Sequence, residues 1–405
     1  MHAGRDGFLG FSVDKRLRSD TIYQVFDIRT DIRPTVAEVD LAALRKNVDV
    51  LGGTVGPEVG ILAVVKADAY GHGALAVARA LERKVWGFAV SLVEEGVELR
   101  RGGIEAPIVV LGSFYGYSHR DVIAFRLTPV VADEGDVEKF ARAADEMSSG
   151  RVGVHLKIDT GMSRLGVRLE TLDAMLARLT ATPGVELTGL CSHLASADAD
   201  DTGPSDEQLV RFSEARRRVA AAGFAVPLVH VANSAATLRF VDARGELVRP
   251  GLALYGLSPS TAAEYTGLLP AMTLKSRIVA LRQVPAGERV SYGGLWQAAR
   301  PSRIATVPIG YADGYTRRMT GKAEVLVGGA RCKVVGAITM DMCMVDVTDV
   351  GAKLGDEVVL LGAQGPDPTV RIGADELARW AGTISWEIFT GISKRVPRVY
   401  VGERW

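Results

Sequence analysis

Between Arg33 and Tyr255 the chain repeats one pattern: a short apolar, β-branched run, then a longer stretch whose apolar residues fall at helical spacing. The runs are Ile61 to Lys66, Trp86 to Ser91, Pro107 to Gly112, Leu127 to Ala132, Val152 to Asp159, Val185 to His193, Pro227 to Asn233 and Leu247 to Tyr255. Helical spacing fills Ala74 to Glu82, Val93 to Arg101, Gly135 to Ala144, Leu169 to Leu179 and Asp206 to Ala222 between them. Unbroken apolar runs need cover on both faces, and a parallel sheet wrapped by crossover helices provides it. About eight such units predict a (β/α)8 TIM-type barrel, in which functional side chains stand on the loops past the strand C-termini.

At 405 residues the chain exceeds one such barrel, so a second core is expected. After about residue 265 the strand-like segments are parted by glycine and turn residues: Leu274 to Leu281, Ile304 to Pro308, Ala323 to Val327, Arg331 to Gly336, Cys343 to Val347 and Glu357 to Leu361. That predicts a second, mostly β domain. The expected division is an arm over 1–33, a barrel over 34–265 and the β domain over 266–405. The barrel begins with a short extended lead-in at PTVAEVD and a helix from there, with Asp40 as its N-cap.

Charge excludes some functions. Basic and acidic residues balance at 48 each, and no basic run exists to track a nucleic-acid backbone. No segment approaches the roughly 18 consecutive apolar residues of a membrane span, and the first 33 residues lack a signal-peptide core. The three cysteines (Cys191, Cys332, Cys343) lie singly in apolar runs, the pattern of buried thiols in a reducing, cytoplasmic setting rather than of metal ligands.

Lys66 is the first residue to point to chemistry. It ends a buried strand, where desolvation lowers an ammonium pKa and leaves a nucleophilic amine near neutral pH. Snorkelling of the lysine to the surface accounts equally well for the strand pattern alone. Past the fifth run, Lys157, Asp159 and Arg164 crowd a glycine-containing loop, which alone reads as solvated surface. His193 ends the sixth run. Asn233 and Ser234 open a helix after the seventh, as ordinary caps or as phosphate binders. Arg249 precedes Pro250 and Gly251 in the eighth, where glycine allows close backbone approach or simply a tight turn. In the second domain Tyr292 sits in ERVSYGG, a hairpin setting in which tyrosine is usually a packing residue.

The segment VVKADAYGHG, from Val64 to Gly73, resembles the cofactor-attachment segment of the alanine racemases. KIDTGMSR, HVANSAA, LVRPGLALYGL, ERVSYGG, IGYADGY, ITMDMCMVDV and TISWEIFTGISKRVPR follow in the family's order, so the resemblance spans roughly residues 33 to 400. It implies a pyridoxal 5'-phosphate (PLP) enzyme interconverting L- and D-alanine, with Lys66 carrying the cofactor and acting as one base and Tyr292 as the other. It assigns Tyr70, Arg164, His193, Asn233, Ser234, Arg249, Gly251 and Leu252 to the cofactor, with Arg249 facing the pyridine nitrogen. Arg164, Tyr311, Met340 and Asp341 are assigned to the substrate side. Lys157 matches a lysine that is carbamylated in some members. The family's tyrosine and Met-Asp pair reach the other subunit's cofactor, which implies a head-to-tail homodimer, and the family's D-alanine feeds peptidoglycan.

Trp386 departs from the pattern. It stands where many members have a tyrosine touching the cofactor phosphate, and indole offers one N–H and no hydroxyl. Phosphate anchoring then falls to Tyr70, Ser234 and the backbone near Gly251. The change in shape keeps a serine-preferring or broad-specificity racemase open as an alternative. Thr339 likewise replaces a frequent cysteine. A non-catalytic PLP-binding protein and a decarboxylase are further alternatives, both disfavoured by the Tyr292 segment.

Overall fold

The computed structural model describes residues 32–258, 267–367 and 369–402. The expected arm over 1–33 lies almost wholly outside them, and so does the expected boundary at 265. The strands form two large sheets and one two-stranded hairpin.

The first sheet is parallel throughout, in the order β8-β7-β6-β5-β4-β3-β2-β9. Its strands are β2 (Gly60–Val64), β3 (Gly87–Val90), β4 (Ile108–Val110), β5 (Thr128–Val131), β6 (Val152–Lys157), β7 (Val185–Cys191), β8 (Leu228–His230) and β9 (Leu247–Val248). The seam between β8 and β9 is drawn together just past both strands, where Arg249 N donates to Ala232 O at 2.8 Å. Helices Ala74–Leu81, Val93–Arg101, Glu134–Glu146, Leu172–Thr180 and Gly203–Ala221 cover the outside, as the periodicity predicts. The barrel is therefore present, with β3 to β5 nearly all buried because each strand is covered on both faces.

The second sheet is mostly antiparallel and takes the order β11-β14-β17-β16-β15-β18-β10-β1-β20, with β19 paired to β18. Its strands are β1 (Val36–Asp40), β10 (Met272–Arg277), β11 (Ala280–Val284), β14 (Ser302–Val307), β15 (Glu324–Val327), β16 (Ala330–Val335), β17 (Cys343–Asp346), β18 (Glu357–Ala363), β19 (Arg371–Ile372) and β20 (Arg398–Val401). A separate hairpin joins β12 (Arg289–Val290) to β13 (Trp296–Gln297). Two differences from the sequence reading stand out. The lead-in before Asp40 is strand β1, which pairs antiparallel with β10 and parallel with β20 rather than joining the barrel. The run Leu274 to Leu281 is two strands, β10 and β11, which pair with different neighbours and part at the buried Ile278.

Asp40 ends β1 and caps the helix Leu41–Val55, accepting from Ala42 N and Ala43 N at 2.8 and 3.0 Å. Near the C-terminus, helices Ala374–Ala381 and Ser385–Gly391 lie beyond the sheet. The second of these packs on the turn after Lys66, so the last part of the chain reaches the mouth of its own barrel. All three cysteines are buried and unpaired. No helix among the described residues is long and apolar enough to cross a membrane.

Candidate active site

A cavity of about 720 Å³ opens at the C-terminal ends of the barrel strands. Lys66, Tyr70, Lys157, Arg164, His193, Asn233, Ser234, Arg249, Gly251, Leu252 and Trp386 all line it, so residues scattered over the sequence converge at one face.

Lys66 follows β2 and the fully buried Val65. Its pKa is lowered, first by burial and then by Arg164 and Arg249, against an opposing effect of Glu95. The residues after it form a turn of left-handed helix: Ala67, Asp68, Ala69 and Tyr70 have φ of 52°, 54°, 53° and 53°. Residues with a Cβ resist this conformation by about 1–2 kcal/mol each, so the turn is braced from outside. Asp68 Oδ1 accepts from Ala74 N at 2.7 Å. His72, fully buried, donates from Nδ1 to Ala69 O and Tyr70 O, both at 3.0 Å, and stacks on Tyr255. Glu95 Oε1 accepts from Ala67 N at 2.6 Å. The turn carries Tyr70 across the cavity to Gly251, where a Cβ would lie 2.6 Å from the Tyr70 hydroxyl. Ser234 Oγ accepts from Gly251 N at 2.8 Å and Ala253 N at 3.2 Å, so donors and hydroxyls cluster at this end.

Arg249 is 5 % exposed. Its guanidinium donates to the carbonyls of His230 at 2.5 Å, Ser192 at 2.8 Å and Val231 at 3.0 Å. It also meets His230 Nδ1 at 2.8 Å and His193 Nδ1 at 3.2 Å. A guanidinium can only donate, so both imidazoles accept at Nδ1 and carry their protons on Nε2. From there His230 donates to His155 Nδ1 at 2.8 Å. Burial and the adjacent Arg249 press His193 to about 3 and His155 to about 4, and hold His230 well below its usual value. The three imidazoles are thus neutral, and Arg249 supplies fixed positive charge compensated by carbonyl dipoles.

Lys157 ends β6 and is 9 % exposed; burial lowers its pKa foremost, with Arg249, Arg164 and Lys66 adding to this and Cys191 opposing. Asp159 folds the following loop by accepting from Gly161 N at 3.1 Å and Ser163 N at 3.0 Å. That fold presents Met162, Arg164 and Leu165 to the cavity, while Asp159 itself does not line it. Ser192 and Thr390, which carry no sequence signal, line the wall as well.

The second-domain residues lie elsewhere. Tyr292, Tyr311, Met340 and Asp341 do not line this cavity, and Tyr292, Tyr311 and Met340 are 70 %, 39 % and 52 % exposed. Three adjacent loops bring them near one another. Tyr311 N donates to Thr339 O and Ala312 N to Met340 O, both at 3.0 Å, and Ser291 Oγ bonds Ala337 O at 2.8 Å. Asp341 pairs with Arg395 at 2.7 Å, and Arg395 approaches the buried Asp313 at 3.4 Å.

A barrel whose strand ends gather two lysines with lowered pKa, two arginines and a hydroxyl cluster, joined to a mostly β second part, defines a class of two-part barrel enzymes. Two family models match nearly all of the chain: "Alanine racemase, N-terminal domain" over residues 39–259 and "Alanine racemase, C-terminal domain" over 271–400. An alanine racemase of Sorangium cellulosum is 50 % identical over 377 residues, 91 % of this chain and 99 % of that one. One from Geobacter sulfurreducens is 46 % identical over 377 residues, 92 % and 98 % of the two chains. The solved alanine racemase of D-cycloserine-producing Streptomyces lavendulae superposes with a TM-score of 0.86 at 35 % identity, covering 92 % of this chain and 98 % of that one. The chain belongs to the alanine racemase family, isomerases that interconvert L- and D-alanine.

Proposed function

We propose that this protein racemises alanine with PLP held in the barrel cavity, using Lys66 of one subunit and Tyr292 of a second as the acid/base pair. The observation that carries the reading is the convergence of Lys66, Arg164 and Arg249 around one cavity while Tyr292 stands exposed outside it. The cavity fits the cofactor. Gly251 leaves room beside the Tyr70 hydroxyl that a Cβ would fill, Ser234 gathers two backbone N–H groups, and Lys66 offers an amine of lowered pKa. Lys66, Tyr70, Ser234 and Gly251 would hold the group at its two ends, with Arg249 between, and Asn233, Leu252 and Trp386 complete the wall. When bound, PLP supplies electron withdrawal that allows the substrate Cα–H bond to ionise.

The chain's own residues then divide the work. Arg164 holds the substrate carboxylate by its planar fork. Arg249, permanently charged among carbonyls, would disfavour a proton on the cofactor's ring nitrogen and so limit how far negative charge spreads from Cα. Lys66 takes or returns the proton on one face, serving the D enantiomer, and Tyr292 of the partner serves the L enantiomer on the other. With Nδ1 committed to Arg249, His193 has Nε2 to offer that tyrosine, the link the family resemblance implies. Tyr311, Met340 and Asp341 of the partner close the substrate side, which gives a head-to-tail dimer with shared sites. The division into barrel (34–265) and β domain (266–405) is proposed with β1 lent to the second sheet. Lys157 is proposed to carry a carbamate: its lowered pKa leaves a neutral amine that adds dissolved carbon dioxide and releases a proton, and the surrounding cations favour the anionic product; intact mass in mild base reads the added group directly.

The test is racemisation of L-alanine and L-serine by purified protein with PLP, read by chiral chromatography. D-alanine as main product supports the reading, and Lys66→Ala abolishes it. Predominant D-serine favours the serine-preferring alternative and makes Trp386, on the cavity wall, the residue to exchange for tyrosine. No D-enantiomer from protein that binds PLP contradicts both.

A further inference from the structure

Glu95 lies in the first turn of the helix Val93–Arg101 and makes more bonds than a helix start requires. Its Oε2 accepts from Ser91 N at 2.8 Å and Leu92 N at 3.0 Å, the reach-back of an N3 glutamate in a capping box. That bond pair explains one oxygen. The other, Oε1, accepts from Ala67 N at 2.6 Å, a residue 28 positions away that directly follows Lys66 and opens the left-handed turn. One carboxylate therefore ties the loop after β3 to the backbone that carries the lysine.

We propose that Glu95 is a positioning residue for the racemisation: by clamping Ala67 N against Ser91 N and Leu92 N it fixes the start of the left-handed turn, and with it the direction from which the Lys66 amine meets the substrate. The inference rests on Lys66 being the reacting amine. The turn needs such a clamp because four consecutive non-glycine residues hold positive φ, and release of Ala67 N lets the backbone relax toward ordinary geometry. The charge of Glu95 acts alongside its reach. Lys66 is faced by Arg164 from the loop after β6, by Arg249 from the end of β9, and by Lys157 and His193 from β6 and the end of β7. Against the cationic Arg164 and Arg249, Glu95 favours the protonated amine. Behind the turn, Glu95 shares a small cavity with Asp68, Glu98 and Lys394.

The experiment compares full-length, PLP-loaded wild type with Glu95→Gln, an isostere whose amide nitrogen cannot accept. Asp40→Ala, the loss of a helix cap away from the cavity, serves as a control for stability alone. Glu95→Gln is expected to lower kcat on the order of tenfold to a hundredfold with little change in KM, as small misplacements of a reacting group do. Removing the negative charge lowers the Lys66 ammonium pKa, so the acid limb of kcat for D-alanine moves to lower pH. Independently of turnover, amide hydrogen exchange read by mass spectrometry speeds up over residues 66–71 and 90–93. The proposal is overturned if Glu95→Gln keeps wild-type kcat and wild-type exchange over 66–71, or if it changes only as Asp40→Ala does, through melting temperature with an unmoved pH limb. Lys66→Ala in the same series separates the two readings. If that variant still racemises, the assignment of Lys66 falls, whereas a dead Lys66→Ala beside an unperturbed Glu95→Gln overturns the clamp alone.

Discussion

Arg249 sets the electrostatics of the cavity at the scale of single residues. A buried guanidinium among three carbonyls and two neutral imidazoles keeps its charge without neutralising it, which a carboxylate partner would do. The imidazoles carry a cost that appears in acid. His72 and His155 are held at about 4 by burial, and both are essentially fully buried. The unfolded chain binds these protons near pH 6.5 and the folded one does not, so stability is complete above about pH 6.5 and drains as pH falls toward 4, by roughly 3 kcal/mol for each histidine. Urea midpoints measured from pH 7 to 4 should fall across that window, and His155→Gln should flatten part of the fall. Gly251 gives a second residue-level prediction. Gly251→Ala puts a Cβ 2.6 Å from the Tyr70 hydroxyl, so fluorescence titration should show PLP affinity falling by at least tenfold, with the barrel's far-UV signal retained. Lys66, Arg164 and Arg249 were legible through the family-like segments that carry them, because the local pattern alone read equally as a snorkelling lysine, a solvated loop and a tight turn. Glu95, His155 and His230 were not, because their partners are 28, 75 and 19 positions distant and no local spacing encodes those pairs.

Elements show a similar split. Helices with a clear apolar stripe, such as Val93–Arg101, appear where periodicity puts them. Pairing partners do not follow from periodicity, which is why β1 reads as a lead-in to the barrel yet lies between β10 and β20. For the same reason Leu274 to Leu281 reads as one apolar run, whereas its two halves serve different neighbours. The left-handed turn leaves no trace in composition: Ala67, Asp68, Ala69 and Tyr70 are not residues that prefer positive φ as a group, and packing and hydrogen bonds impose it. Asp40 links the two sheets, ending β1 and capping the first helix of the barrel. Asp40→Ala should cost about 1 kcal/mol in denaturant unfolding, the usual value of a lost cap, with racemisation unchanged at temperatures below the transition.

At the scale of the whole molecule, β1 and β20, near the two ends of the described residues, pair in the second sheet, and the helix Ser385–Gly391 returns to the barrel mouth, where the cavity opens. Tyr292, Tyr311 and Met340 remain exposed on the same subunit, on loops tied to one another. Exposed aromatic and thioether side chains of this kind suit burial against a second copy, and the account gives them a place on the partner's cavity. The most direct test co-expresses two differently tagged variants, Lys66→Ala and Tyr292→Ala, and assays the purified mixed dimer and each parent for racemisation of alanine. If the site is shared, both parents are inactive, while the mixed dimer holds one intact site of two, with wild-type Lys66 from one chain and wild-type Tyr292 from the other, and recovers about half of wild-type activity. If both groups act within one subunit, every site in the mixed dimer carries one lesion, no activity returns, and the shared-site account is contradicted.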